Sequence, residues 1–124
     1  MLSIVIPTKN EERYLPRLLA SIKRQSFSDY EIIVADNGSS DSTRAVAESF
    51  GCKVTGGGLP GEGRNRGAAA ARGDVVLFLD ADTELVDADF LESALREFKE
   101  RGLSMGVPIA ITEGNFLDRW TSRM

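Results

Sequence analysis

Short apolar runs alternate along the chain with amphipathic stretches of helical period. Leu2 to Pro7 is β-branched and free of charge, which predicts a buried strand that stops at a proline. Leu15, Leu18, Leu19 and Ile22 then fall at i, i+3, i+4 and i+7, one apolar stripe of a helix. Asn10 is suited to cap it, with Glu11 and Glu12 in the first turn and Pro16 near the start. Glu31 to Ala35 predicts a second strand. Asp36 to Ser40 reads as a turn, and Asp41 or a neighbouring serine caps a helix running to about Phe50, stopped by Gly51. Cys52 to Thr55 predicts a short third strand, Gly56 to Gly61 a flexible loop, and Gly63 to Arg72 an Ala-rich helix stopped at Gly73. Asp74 to Leu79 is the most apolar strand. A fourth helix from Asp87 or Asp89 carries Phe90, Leu91, Ala94, Leu95 and Phe98, with Gly102 as its stop. Leu103 to Ile111 predicts a fifth strand, broken by Gly106 and Pro108.

Repeated β-α units imply an α/β fold, a mostly parallel sheet flanked by helices on both faces. Ligands of such sheets bind beyond the carboxyl ends of the strands. Three strand ends far apart in sequence therefore converge on one edge: Pro7-Thr8, Asp36 and Asp80-Ala81-Asp82. There is no internal repeat, low-complexity tract or linker, so residues 1–124 read as a single domain.

Composition narrows the chemistry. The chain has 124 residues, 15 Lys+Arg against 19 Asp+Glu, and a net charge of -4, a poor balance for a general nucleic-acid binder. It has no His, which excludes a Ser-His-Asp triad, a His zinc site and a His general base within these residues. One Cys, Cys52, excludes an internal disulfide and reads as a small buried hydrophobe. No run reads as a transmembrane helix and the start lacks a signal-peptide pattern, so a cytoplasmic setting is expected.

Asp80-Ala81-Asp82 is the sharpest local signal. Two carboxylates bracketing one small residue at a strand end repel each other unless a cation or a proton relieves them. Their oxygens suit Mg²⁺ or Mn²⁺, which also hold substrate phosphates; the other reading is a solvated acidic turn. Glu84 could add an oxygen, and the small Ala81 would let a ligand approach the backbone. Asp36 can accept hydrogen bonds from a base or a ribose, or make an Asx-turn with Asn37-Gly38. Ser39, Ser40 and Asp41 read as caps. Gly61 to Gly67 leads into a helix and carries Arg64 and Arg66. A diphosphate is one guest for it, and a flexible loop with solvated arginines is the alternative. Its glycine spacing is neither the dinucleotide fingerprint nor a phosphate-binding Gly-Lys-Ser/Thr loop. Phe116, Leu117 and Trp120 stand at helical spacing, as a membrane-contacting helix or the start of a core element.

Four motifs in this order resemble the family 2 glycosyltransferases of GT-A fold. They are Ile4-Val5-Ile6-Pro7-Thr8-Lys9-Asn10-Glu11, Glu31 to Thr43, Gly63-Arg64-Asn65-Arg66-Gly67-Ala68 and Gly73 to Asp82. The resemblance covers about residues 2–86 and implies a Rossmann-like nucleotide-binding half. It implies an inverting enzyme that moves a sugar from a nucleotide diphospho-sugar, a UDP- or GDP-sugar, to an acceptor hydroxyl with Mg²⁺ or Mn²⁺. Carried over by motif, Pro7, Thr8 and Glu11 would line the nucleotide pocket, Asp36 would bind the base, and Arg64 would lie near the base or diphosphate. Asp80, with Ala81 beside it, would contact the ribose or metal, Asp82 would ligate the metal, and Glu84 would be a further ligand. Ala35 departs from the residue often found before the base-binding Asp. Family members continue well past the fourth helix, where the acceptor pocket and catalytic carboxylate lie. On that expectation the chain is truncated: about 1–111 is the nucleotide-sugar-binding portion and 112–124 starts the acceptor half. Neither Glu113 nor Asp118 matches the family's base motif, so no catalytic residue is named.

The acceptor is open, a lipid-linked molecule or a saccharide, and the lipid case brings peripheral contact with the cytoplasmic membrane face. A missing half would also expose apolar surface and favour self-association. A non-catalytic nucleotide-binding or interaction module is the main alternative. A nucleotidyltransferase is a weaker one, since Pro7-Thr8-Lys9-Asn10-Glu11 lacks the glycines expected after the first strand. A flavodoxin-like phosphoacceptor fits less well still, because Asp36 sits in a Gly/Ser turn and no later strand end offers a lysine.

Overall fold

A computed structural model describes residues 1–57 and 60–100. Four strands, β1 (Leu2–Thr8), β2 (Tyr30–Asp36), β3 (Lys53–Gly56) and β4 (Val75–Phe78), alternate with four helices. The helices are α1 (Leu15–Lys23), α2 (Thr43–Ser49), α3 (Pro60–Ala70) and α4 (Phe90–Glu100). The strands form one parallel sheet in the order β3-β2-β1-β4. The chain steps outward from β1 to β3 and then returns to the other side of β1. That reversal opens a crevice between the carboxyl ends of β1 and β4, where doubly wound sheets bind ligands.

Each strand presents alternate residues to opposite faces. Ile4, Ile6, Ile32 and Val34 pack in one cluster with Leu15, Leu18, Leu19 and Ile22 of α1, Ala47 of α2, and Leu91 and Phe98 of α4. All four stripe residues of α1 are fully buried, and each contributes about 1.5–3 kcal/mol relative to exposure. The opposite face belongs to α3. A Cβ on Gly67 would come within 2.2 Å of Val5 Cγ1, and one on Gly63 within 3.4 Å of Pro7 Cβ. Two glycines one turn apart thus let α3 lie against β1.

That packing changes the reading of Gly61 to Gly67. The helix expected from about Gly63 starts earlier, at Pro60, within the stretch read as a loop, and Gly63 and Gly67 face the sheet. The first cap also differs. Asn10 does not cap α1; it sits at φ 53, a left-handed conformation that Asn tolerates, and α1 begins at Leu15 with Pro16 in its first turn. Gly51 does end the α2 segment, at φ 78. The fifth strand expected at Leu103 to Ile111, Glu113, Asp118 and the Phe116–Trp120 segment lie outside the described residues. No helix among the described residues is long and apolar enough to cross a membrane.

Candidate functional site

The carboxyl ends of β1 and β2 are locked together by Asp36, which is 4% exposed. Its Oδ1 accepts from Thr8 Oγ1 at 2.8 Å and from Ser39 Oγ at 2.5 Å. Its Oδ2 accepts the Ser39 N–H at 2.9 Å. Burial pushes the Asp36 carboxyl up, but the bonds from Ser39 and Thr8, with the charge of Arg44, overcome it and hold the group below its ordinary 3.8.

The loops after β1 and β2 are cross-linked. Asn10 N–H donates to Ser39 Oγ at 2.8 Å, and Asn10 Oδ1 accepts the Ser40 N–H at 2.9 Å. The Glu11 N–H donates to Thr43 Oγ1 at 2.8 Å. Glu12 bonds to two successive residues of the second loop: its N–H donates to Asp41 Oδ2 at 3.3 Å, and its Oε2 accepts the Ser42 N–H at 3.0 Å. Asp41 stands just ahead of α2, whose N-cap is Ser42, and its Oδ1 accepts the Thr43 N–H at 2.9 Å. None of the three residues read as caps is therefore the N-cap of α2; Asp41 holds its first amide, while Ser39 and Ser40 join loop to loop.

Across the crevice stands the segment after β4. Asp80 is partly buried, and its carboxyl is raised above the ordinary value by burial and by Asp82, against the opposing charge of Arg64. Glu11 is raised too, first by burial and then by the charges of Asp82, Asp41 and Asp80. The topology therefore brings Glu11, Asp80 and Asp82 into one negative field from strand ends some seventy residues apart in sequence. Among the described residues no group of three Asp, Glu or Cys side chains is arranged to hold a metal ion by itself. The donor set instead fits a hard cation held by one or two carboxylates and completed by phosphate oxygens, the usual habit of Mg²⁺.

Arg64, on α3, supplies the opposite charge. Its Nε is buried with no hydrogen-bond partner. A buried donor left unpaired costs about 1–3 kcal/mol, which an incoming acceptor recovers. Its neighbour Arg66 is engaged, donating from Nη1 to the Gly57 carbonyl at 2.5 Å.

Two other expected residues sit differently. Ala81 is 3% exposed and its methyl belongs to the apolar cluster. Glu84 faces two arginines, Arg17 Nε at 3.9 Å and Arg24 Nη2 at 3.8 Å. Pro7 lies on the α3 face of β1. Sequence reasoning missed Ser39 as an Asp36 ligand and Arg17 as a neighbour of the acidic segment. The Asp-x-x-Ser spacing of an Asx-turn was the available signal for Ser39.

A parallel sheet with its carboxylates gathered at a topological switch point defines an α/β protein of the doubly wound class, with its ligand site beyond the carboxyl ends of the strands. The sequence matches the profile of glycosyl transferase family 2 over residues 3–124, and the chain belongs to that family. It is 33% identical over 102 residues to the poly(ribitol-phosphate) beta-N-acetylglucosaminyltransferase TarS of Staphylococcus aureus, covering 74% of this chain and 18% of that protein. The crystal structure of S. aureus TarS 1–349 in complex with UDP-GlcNAc superposes with a TM-score of 0.72 and 33% identity, covering 80% of this chain and 31% of that one. Glucosyl-3-phosphoglycerate synthase of Mycobacterium tuberculosis, in complex with Mn²⁺, UDP and glucosyl-3-phosphoglycerate, gives a TM-score of 0.58 at 30% identity, over 68% of this chain and 35% of that one. The chain thus spans less than a fifth of the length of the curated relative TarS.

Proposed function

We propose that this chain binds a nucleoside diphosphate sugar, a UDP- or GDP-sugar, with Mg²⁺ or Mn²⁺ in the crevice between β1 and β4. It would thereby serve the donor side of an inverting sugar transfer to an acceptor hydroxyl. The observation that carries this reading is Arg64 Nε, buried without an acceptor while its charge bears on Asp80, whose carboxyl, like that of Glu11, is held above its ordinary value. A diphosphate and its cation answer both needs at once, the phosphate oxygens accepting from Arg64 and the cation relieving the carboxylates.

In this reading Thr8, Pro7 and the Asp36–Ser39 network shape the base end, and Asp36 receives the base. Arg64 meets the diphosphate, Asp80 the ribose or the cation, and Asp82 the cation as the Asp-x-Asp motif's second carboxylate. Glu84 is left out of the ligand set because Arg17 and Arg24 occupy it. When bound, the cation supplies Lewis-acid neutralisation of the charge that grows on a departing nucleoside diphosphate. The complexes of TarS with UDP-GlcNAc and of the mycobacterial synthase with Mn²⁺ and UDP support the donor and metal classes. The acceptor is proposed as a saccharide or lipid-linked molecule, met in the cytoplasm or at the cytoplasmic membrane face.

Calorimetric titration of the chain with UDP and GDP, each with and without Mn²⁺, tests this. One nucleotide is expected to bind, and more tightly with Mn²⁺. Binding of neither nucleotide in the presence of Mn²⁺ would overturn the proposal.

A further inference from the structure

The residues between β4 and α4 have little regular structure, yet they carry both carboxylates of the Asp80–Asp82 pair. What fixes them is a row of polar side chains along α1 and the turn after it: Arg17 and Ser21 on the helix, Arg24 at its C-cap and Gln25 just beyond. Arg17 Nη2 donates to the Asp82 carbonyl at 2.8 Å. Ser21 Oγ, fully buried, accepts the Leu85 N–H at 3.0 Å and donates to the Leu18 carbonyl at 2.6 Å. Gln25 donates to the Asp87 carbonyl at 2.7 Å and accepts the Leu91 N–H at 2.9 Å. Just past the helix, the Ser26 N–H reaches the Ala88 carbonyl at 2.8 Å. Thr83 closes the turn from within, its hydroxyl donating to the Asp80 carbonyl at 2.6 Å.

Ser21 and Gln25 hold the far part of the segment. Arg17 alone in the row bonds to Asp82 itself, and its guanidinium is kept in place by Glu84 Oε1 at 3.9 Å, with Arg24 on the other oxygen. We propose that Arg17 is a positioning residue that sets the Asp80–Asp82 carboxylate pair, and that Glu84 is its counter-charge rather than a cation ligand. This rests on the reading of the crevice as a cation and diphosphate site. Outer groups that orient first ligands typically govern affinity by about 10- to 100-fold. Because Arg17 and Glu84 are both part-exposed, their ion pair adds little to global stability. Positioning and folding can therefore be told apart.

The test uses the whole chain with Arg17→Gln, Arg17→Lys and Glu84→Gln. Amide hydrogen exchange over residues 80–85 reads the segment directly, and UDP or GDP titrations with and without Mn²⁺ read its consequence. Expected for Arg17→Gln and Glu84→Gln are about tenfold faster exchange in that segment and about tenfold weaker Mn²⁺-dependent nucleotide binding. Metal-free binding and the thermal midpoint should be unchanged, and Arg17→Lys should restore part of both effects. Unchanged exchange in Arg17→Gln would overturn the proposal. So would a Glu84→Gln variant that loses all Mn²⁺ dependence while Arg17→Gln keeps it, since Glu84 would then be a ligand. If the unmodified chain binds neither nucleotide, the functional reading fails, and the exchange comparison still decides whether Arg17 positions the segment.

Discussion

Thr8 Oγ1 donates a 2.8 Å hydrogen bond to Asp36 Oδ1, tying the last residue of β1 to the last residue of β2 inside a buried pair. The bond reaches an ionised acceptor, the class worth about 1.5–3 kcal/mol. Thr8→Val keeps the shape and removes the donor, so urea unfolding at pH 7 should show a loss of that size. The sign with pH follows from Asp36, whose folded pKa lies below 3.8. Its stabilising contribution is present above the unfolded value and is lost as pH falls through the folded one. The deficit of Thr8→Val should therefore shrink in acid; a deficit constant with pH would show that the bond to Asp36 is not its source.

Asp80 carries the opposite sign. Its folded pKa is raised by burial and by Asp82, so the charged form disfavours the fold above that raised value. As pH falls through the window toward 3.8 the penalty disappears. Asp80→Asn should raise the thermal midpoint at pH 7 and lose that advantage in acid. A lower midpoint at pH 7 would place Asp80 in a stabilising contact instead.

The approach of α3 to β1 rests on Gly67, where a Cβ would meet Val5 Cγ1 at 2.2 Å. Gly67→Ala should cost about 1–3 kcal/mol by overpacking. Adding Val5→Ala removes the clashing methyls, and the double variant should recover part of the loss beyond additivity. Strict additivity in chemical denaturation would locate the cost elsewhere.

Arg64 makes the fourth case. Arg64→Met removes the unpaired Nε but also the charge that opposes the raised Asp80 carboxyl, so the urea midpoint should change little. Binding of UDP or GDP should weaken by about tenfold or more, since a charge-assisted bond to phosphate is lost, while binding of the bare nucleoside should not change. Equal loss for nucleoside and nucleotide would move Arg64 to the base end.

The sheet was legible because its signals are local. Uncharged β-branched runs mark β1 and β2, and Leu15, Leu18, Leu19 and Ile22 mark the buried face of α1. The convergence of Thr8, Asp36 and Asp80 followed from the rule for parallel sheets, without any contact being known. What stayed hidden depends on contacts distant in sequence. Asn10 suits a cap and a left-handed turn equally, and only its bonds to Ser39 and Ser40 decide between them. Gly63 and Gly67 were legible as helix residues, but their role in letting α3 lie against β1 needs the face of α3. Nothing in the sequence singles out Arg17, because its partner Asp82 lies 65 residues away.

Asp82 is expected to hold a cation only together with a nucleoside diphosphate. Electron paramagnetic resonance of free Mn²⁺ during titration with UDP and GDP measures this directly. The expected result is that the free Mn²⁺ signal falls beyond what nucleotide alone removes, only when chain and diphosphate are both present, and that Asp82→Asn abolishes the extra loss. Full retention of that ternary binding in Asp82→Asn would contradict the account.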